Sequence, residues 1–240
     1  MIPFKPISDD NPALEHSHML RAALLTFGYM EANGPIELTP AKAIKRYFVE
    51  WAAEAFAWPY HAPDDLYAVN KVLNEHDFLP LMVLHDVLLS AKLVRHYKGA
   101  MHMTKLAKQL RTRPAFLAIY LTNHLLAVID HSEYTRFGDQ LVGDWSIFLD
   151  VIDREAQVGV NEERLCAVLF GGSEKDALRD SRMRSILYLH VLRPLCWAGL
   201  LEEHRQGRGF DRVRLFVKTP LWAAALDLDH AEHDSAPTIQ

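Results

Sequence analysis

One arrangement of helix, hairpin and threonine-capped helix occurs twice in this chain, and it restricts the folds that the chain can adopt. In the first copy, residues 79–110, an apolar helix leads into a predicted strand at Leu93–Tyr97 and a turn at Lys98–Gly99. A return strand then ends at Thr104, whose hydroxyl can cap the helix that follows. The pattern predicts a short hairpin held between two helices.

The second copy occupies residues 186–226. An apolar helix leads into a strand that begins at Leu200, and a glycine-rich turn with arginines connects it to a return strand through Val213–Val217. The dipeptide Thr219-Pro220 then opens another helix, because a threonine cap followed by proline is a common helix start. The same order of elements is therefore predicted in both halves of the chain.

Helix, hairpin and capped helix in this order are typical of a winged helix, a unit that usually binds nucleic acid or another protein. A weaker third version places a short strand at Ile36–Leu38 before a helix that Thr39 opens and that runs to about Ala57. Helices greatly outnumber strands, and the strands are short. We therefore predict a mainly α fold with short β-hairpins, in which two winged-helix-like units pack on a central helix at 114–129.

Local composition indicates where these units begin and end. The segment HSEYTRFGDQLVG is polar and holds two glycines, which is typical of a linker. Pro194 is expected to kink the long helix that starts near Ser181, because proline removes one backbone hydrogen bond. The predicted domains are an N-terminal winged-helix-like domain at 1–130, a linker at 131–143, a C-terminal winged-helix-like domain at 144–228 and a disordered tail at 229–240.

Composition excludes several classes of protein. A net charge of -5 argues against a general polyanion binder, so any nucleic-acid contact must come from a local patch. The longest apolar stretch, Ala115–Ile129, is too short to span a bilayer, and the N-terminus lacks the features of a signal peptide. Only Cys166 and Cys196 are present, which makes no disulfide framework and favours a cytoplasmic protein.

Positive charge is concentrated in the first hairpin and the helix after it. No acidic residue occurs from Val87 to Ile129, whereas that segment holds seven lysines and arginines, as phosphate contacts require. The arginine-rich turn of the second hairpin can lie along phosphates or enter a minor groove. The candidate nucleic-acid-binding residues are Lys92, Arg95, Lys98, Lys105, Lys108, Arg182, Arg205, Arg208, Arg212 and Arg214.

Two other interpretations of these charges stay open, namely that they are solvated surface cations or that they contact a protein partner. Charged turns are common, and the cations can simply be solvated. The helix before the first hairpin is nearly all apolar, so it lacks the polar side chains with which a recognition helix reads base edges. In the second unit Arg182, Ser185 and Arg193 lie roughly along one stripe, which makes it the better candidate. The alternative function is a protein-interaction or assembly module that packs against a protein partner or against a second copy of the chain as a homodimer.

The sequence predicts neither an enzyme nor a metal site. It has no P-loop, dinucleotide-binding glycine motif or nucleophile elbow, and we expect no catalytic residues and no cofactor. The histidines match no metal-ligand spacing, and the densest cluster, which includes His230 and His233, falls in the predicted tail. A deep polar pocket that joins histidines and carboxylates from different helices would favour an enzyme instead.

The run GPIELTPAKAIKRYFVEW, followed by VLLSAKLVRHYKGAMHMTKLAKQL, resembles the helical region of bacterial proteins related to an open-reading-frame-three product of root-inducing plasmids. The resemblance covers about residues 20–125, and DWSIFLDVIDREAQ and the final hairpin extend it. It implies a strand that ends in Leu-Thr, a helix and a hairpin that ends in threonine. It transfers no catalytic residues, and this chain lacks the separate β-rich domain that often accompanies such regions. Together these features predict a non-enzymatic nucleic-acid-binding bacterial protein, with DNA as the expected ligand and a regulatory role.

Overall fold

The computed structural model of the chain describes residues 2–135, 138, 143–171, 177–207 and 213–228, with the backbone alone at 177–180. Within these ranges the helices are α1 (His18–Asn33), α2 (Arg46–Ala55), α3 (Pro63–Tyr67), α4 (Leu79–Ser90), α5 (Lys105–Leu110), α6 (Pro114–Ala127), α7 (Trp145–Glu155), α8 (Glu162–Phe170), α9 (Ala177–Leu187), α10 (Arg193–Ala198) and α11 (Pro220–Ala225). The strands are β1 (Ile36–Glu37), β2 (Val94–Tyr97), β3 (Ala100–Met103), β4 (Val160–Asn161), β5 (Leu201–Gln206) and β6 (Val213–Lys218).

The strands form two antiparallel sheets of three strands each, and both sheets have the same order. In the first sheet the order is β1-β3-β2, and in the second it is β4-β6-β5. The last strand of each half, β3 or β6, therefore lies in the middle of its sheet. On one side is its hairpin partner, and on the other is a two-residue strand, β1 or β4, that comes earlier in the chain. A mainly α protein with short β elements is thus confirmed.

The helix that precedes each hairpin ends in the same hydrogen-bonded turn. Lys92 and Gly199 follow α4 and α10 with φ angles of 56° and 84°. The amides of the next residues, Leu93 and Leu200, donate to carbonyls five residues earlier, each at 2.9 Å. This is the Schellman motif, in which a left-handed residue reverses the chain at a helix end.

A threonine closes each turn from the other end of the hairpin. The Thr104 amide donates to Leu93 O at 2.9 Å and its hydroxyl to Lys92 O at 2.9 Å. The Thr219 amide donates to Leu200 O at 3.1 Å and its hydroxyl to Gly199 O at 2.5 Å. Both hydroxyls also accept an amide of the following helix, so the predicted threonine caps are confirmed.

The two halves share one core, which is centred on α6. This helix packs against α1 and α4 of the N-terminal half and against α10 of the C-terminal half. Leu117, Leu121 and Leu125, spaced one turn apart, are fully buried. The central helix predicted at 114–129 is therefore present, and no helix in the described ranges is long and apolar enough to cross a membrane.

Two elements differ locally from a regular helix. Helix α2 begins at Arg46 and not at Thr39, because the Thr39 amide and the Ala43 carbonyl bond at 2.8 Å and Lys42 adopts a φ of 65°, which closes a tight turn instead. Between α9 and α10 lies a π-helical turn, Tyr188–Leu192. The helix that was expected to kink at Pro194 is interrupted by this turn, since proline cannot donate to the helix ladder, and a bend at Pro194 itself stays a prediction.

The predicted linker begins as packed structure. His131–Tyr134 form a 3-10 turn in which His131 and Ser132 are buried, and the Tyr134 hydroxyl donates to Asp86 Oδ2 at 2.5 Å. Burial of the imidazole was not evident in a segment whose composition is polar. Most of the rest of the linker (136, 137 and 139–142) and the predicted tail at 229–240 lie outside the described residues.

Replacing Gly199 by alanine should destabilise the protein by about 3 kcal/mol or more. The left-handed backbone disfavours any Cβ, and a Cβ at this position would press on the backbone carbonyl of His16. Gly99→Ala is the matched control, since Gly99 also has a positive φ of 76° but faces open space. Urea unfolding should give a loss of about 1 kcal/mol for the control. Equal losses for both variants would contradict the packed junction.

Stability should fall as the pH is lowered from about 6.5 to 4. Burial lowers the pKa of His18 and of His131 to about 4, so the unfolded chain takes up protons at a higher pH than the folded protein. Each histidine should cost about 1–2 kcal/mol between pH 6.5 and 5. Urea unfolding should show a smaller pH dependence for His131→Gln than for the unaltered chain. A flat profile would contradict the assignment.

Candidate nucleic-acid interface

The outer face of the first hairpin carries a cluster of exposed cations around one aromatic ring. Register places Arg95 opposite His102 and Tyr97 opposite Ala100. Because side chains alternate along a strand, Arg95, Tyr97 and His102 share the outer face, while Val94 and Met101 point into the core. This outer face of β2–β3 is called the hairpin face below.

Tyr97 is half exposed and is contacted by cations. The Arg95 guanidinium lies 5.6 Å from its ring centroid and the Lys98 ammonium 5.3 Å, within the range of cation–π attraction. The His102 ring is 5.8 Å away. An aromatic ring among cations is the combination that binds a base or sugar beside its phosphate.

Three further lysines continue the positive charge toward α5. Thr104 bonds to the Lys92 carbonyl and is followed directly by Lys105, so these two lysines flank one junction. Lys108 lies one turn further along α5, and all three side chains are exposed. Within the described part of the chain, no carboxylate forms an ion pair with Lys92, Arg95, Lys98, Lys105 or Lys108.

Two lysines of this cationic surface, Lys92 and Lys98, occupy strained backbone. Lys92 and Lys98 have φ angles of 56° and 48°, in the left-handed region that glycine adopts at lower cost. At the equivalent position of the second junction the residue is Gly199. Lys42, Ala57 and Tyr60 share this conformation, which costs a non-glycine residue about 1–2 kcal/mol.

A buried polar network holds the hairpin face on the core. Glu75 Oε2 accepts the Ile44 amide at 2.6 Å, and Glu75 Oε1 bonds to His85 Nδ1 at 2.6 Å. His85 Nε2 lies 2.8 Å from Nε2 of His96, which is on β2. Burial, followed by the charge on His85, lowers the pKa of His96. The network thus ties β2 to α4 and to the loop before α2.

Helix α4 precedes the hairpin but presents no exposed side chain. Every residue from Leu79 to Ser90 is buried or half-buried, and His85 is engaged in the network below the hairpin. The expectation that this helix belongs to the core is therefore confirmed. Base edges cannot be read by α4 in this structure, because reading them requires polar side chains in the major groove.

The second hairpin differs, because its described arginines are paired with carboxylates. Arg205 Nε lies 2.6 Å from Glu203 Oε1, and its guanidinium stacks 3.6 Å from the centroid of the Tyr60 ring. Arg214 bonds to Glu162 at 2.8 Å and stacks 3.8 Å from the Tyr188 centroid. Neither arginine is available to phosphates as a free cation.

The two hairpins pack on different elements of the core. Hairpin β2–β3 packs on β1, α1 and α4, whereas β5–β6 packs on β4 and α10. Of the stripe proposed in the second unit, Arg182 and Ser185 are exposed but Arg193 is buried, because Pro194 and the π-helical turn place it inside. Arg208 and Arg212 lie outside the described residues.

Comparison with known proteins assigns both halves of the chain to one family. A family model for the Y4jL N-terminal domain matches residues 15–116, and one for the y4jL C-terminal domain matches residues 135–220. A protein of Sinorhizobium fredii (strain NBRC 101917 / NGR234), named "Uncharacterized protein y4jL", is 34% identical over 171 residues, which cover 71% of this chain and 78% of that protein. The chain belongs to the y4jL family. No solved structure matches it.

The match to y4jL can be compared with the resemblance found in the sequence. The family that matches is y4jL, while the resemblance to the root-inducing-plasmid product and to winged helices stays a prediction. The charge pattern of the sequence did not single out Tyr97 and His102, the two rings that lie beside the cations. Alternation along β2 and β3 could have found them, since Arg95, Tyr97 and His102 are at outward positions of a hairpin whose register the turn fixes.

Replacing Glu75 by alanine should lower the free energy of unfolding by about 3 kcal/mol. The substitution leaves the Ile44 amide and His85 Nδ1 buried without a partner. Glu37→Ala is the control, because Glu37 pairs with Lys45 on the surface and its loss should cost less than about 1 kcal/mol. Urea denaturation of both variants distinguishes the two cases, and a loss at Glu75 as small as that at Glu37 would disprove the network's role.

Proposed function

We propose that this chain is a non-enzymatic nucleic-acid-binding protein built from two winged-helix units, and that it contacts the duplex backbone through the hairpin face and α5. The order of helix, short strand, helices and hairpin in both halves supports the winged-helix assignment. So does the shared strand order, with the last strand in the middle of each sheet. The proposal is independent of any catalytic group.

The observation that carries the proposal is the set of five exposed cations in the first unit. Lys92, Arg95, Lys98, Lys105 and Lys108 have no ion-pair partner among the described residues, in a chain whose net charge is -5. Elsewhere in the described structure arginines and carboxylates form pairs, as at Arg154–Asp150 and Arg164–Glu155. Unpaired cations around an exposed tyrosine suit a sugar–phosphate backbone.

The mode of binding follows from which element is exposed. Since α4 is buried, the hairpin and α5 supply the contacts, and contacts of this kind fix position and affinity more than sequence. Insertion of a hairpin tip with Lys98 and Tyr97 into a minor groove is compatible with its turn of only two residues. We therefore expect strong salt dependence and little base selectivity.

A protein-interaction or assembly module is the second candidate. The observation that favours it is the burial of α4, the helix that a DNA-reading winged helix keeps exposed. In that case the hairpin face would contact acidic side chains of a partner or of a second copy. The two candidates differ in whether duplex DNA binds at all at low salt.

The test uses Lys92→Gly/Lys98→Asn, which removes two charges and relieves both left-handed residues. Its stability should rise or stay equal, because glycine and asparagine suit these φ angles. Fluorescence anisotropy with duplex DNA should show a smaller dependence of log K on log salt, by about 2 in slope. A structural role for the lysines predicts a loss of stability instead.

Lys45→Ala/Arg154→Ala is the matched control, since it changes the net charge equally at two ion-paired surface cations. Its salt dependence should stay near that of the unaltered chain. Equal weakening by both double variants would reduce the effect to net charge and contradict the proposal. Absence of binding by the unaltered chain at about 50 mM salt would also contradict it, and would favour the protein-interaction module.

A further inference from the structure

A cleft of about 530 Å³ lies between the two halves of the molecule. One side comes from the N-terminal half, with His18 and the segment 58–61, and the other from the C-terminal half, with Tyr188, Arg193 and the start of β5. Its volume is in the range of sites that bind small organic molecules, about 300–1,000 Å³, and such sites favour interfaces between units. The hairpin face is not part of this cleft.

Arg193 lines this cleft as a buried cation without an ionic partner. Its residue surface is 7% exposed, and its Nε and Nη2 atoms are buried with no hydrogen-bond acceptor. No carboxylate pairs with it within the described part of the chain, and its guanidinium lies 5.0 Å from the centroid of the Trp197 ring. Burying a charge that lacks a partner costs free energy. The presence of Arg193 at this position therefore points to a ligand that pairs with its guanidinium.

Burial lowers the pKa of Arg193, as expected for a cation that has left water without gaining a carboxylate. The contrast with the neighbouring Arg205 is informative, because Arg205 in the same cleft is bonded to Glu203 and stacked on Tyr60. The polar groups around Arg205 are satisfied within the chain. Those of Arg193 are not, although the two arginines line one cavity.

The walls of the cleft are aromatic. Trp58 and Trp197 come from opposite halves and meet edge to face, with ring centroids 5.6 Å apart. The His18 ring lies 5.8 Å from Trp58, and burial keeps this histidine neutral by lowering its pKa to about 4. Faces and edges of aromatic rings are suited to a planar, apolar ring of a ligand.

The charged side chains around Arg193 favour a singly charged anionic ligand over a doubly charged one. Glu203 is neutralised by Arg205, while Glu15 and Glu202 are exposed and line the cleft. With one uncompensated cation and these carboxylates nearby, a singly charged anion balances the site, whereas a dianion such as a phosphate monoester would add repulsion. A guanidinium also matches a carboxylate in a two-pronged hydrogen bond.

We propose that the cleft binds a small molecule that carries a planar ring and one carboxylate, with the carboxylate on Arg193 and the ring against the aromatic wall that Trp58 and Trp197 form together. The ligand would contact both halves of the chain and complete the interface. The cleft carries this inference by itself, so it stands whether or not the hairpin face binds nucleic acid.

The experiment titrates the full chain with benzoate and with 2-naphthoate by calorimetry and tryptophan fluorescence. At least one carboxylate should bind, alter the emission of the cleft tryptophans and raise the Tm. The uncharged isostere 2-naphthylmethanol and the dianion 2-naphthyl phosphate should each bind about 10-fold more weakly or less. Failure of both carboxylates to bind at millimolar concentration, or tighter binding of the phosphate, would overturn the proposal.

Arg193→Met separates a ligand-binding role from a structural one. Methionine fills similar space without a charge, so the ligand-free variant should have an equal or higher Tm, while carboxylate affinity should fall about 30-fold or more. Arg154→Met, at an exposed arginine paired with Asp150, should leave carboxylate binding unchanged. A variant at position 193 that fails to fold, or that binds the carboxylate normally, would show that Arg193 is structural and would refute the inference.

Discussion

The structure depends on one junction that the chain uses twice. A helix ends in a left-handed residue, a leucine amide bonds back to a leucine carbonyl five residues earlier, and a threonine at the far end of the hairpin closes the turn. Leu88 and Leu93 in the first copy, and Leu195 and Leu200 in the second, are buried at these bonds. Since these bonds satisfy backbone groups at the helix end and hold both ends of the hairpin, the direction in which each hairpin leaves the core is fixed.

The same scaffold presents two chemically different hairpins. On the first, β2 and β3 hold no acidic residue, so Arg95 and Lys98 gather around Tyr97 and stay in solvent. On the second, acidic residues lie within reach of the arginines, and each described arginine both pairs with a glutamate and covers a tyrosine ring. Composition of the neighbouring strands and helices therefore decides whether an arginine is a surface charge or a packing element.

Burial of charge also distinguishes the interior sites. Glu75 and His85 are bonded to each other and to backbone or to His96, which makes their network a structural one. The Nε and Nη2 atoms of Arg193 lack such partners. The cleft does join histidines and carboxylates, the feature that an enzyme would need, yet burial raises the pKa of the Cys196 thiol and leaves it a poor nucleophile.

Sequence reasoning predicted the local elements well and the long-range pairings poorly. The hairpins, threonine caps and central helix depend on residues close in sequence, where turn and capping rules apply. The Glu162–Arg214 pair and the burial of His131 depend on packing between distant segments, which no local pattern reports. The Glu203–Arg205 pair is an exception, since two residues on the same face of one strand could have been paired from the sequence.

Burial of Arg193 was hidden for a related reason. An arginine in a helical stripe with Arg182 and Ser185 suggests a surface, and only the π-helical turn before Pro194 changes which way the following residues face.

Native-state hydrogen exchange of the Thr104 and Thr219 amides tests the shared junction most directly. Both amides should exchange only through global unfolding, with the same dependence on denaturant as the α6 core. Rapid exchange of either amide through local opening would contradict the account of two equivalent, locked hairpins.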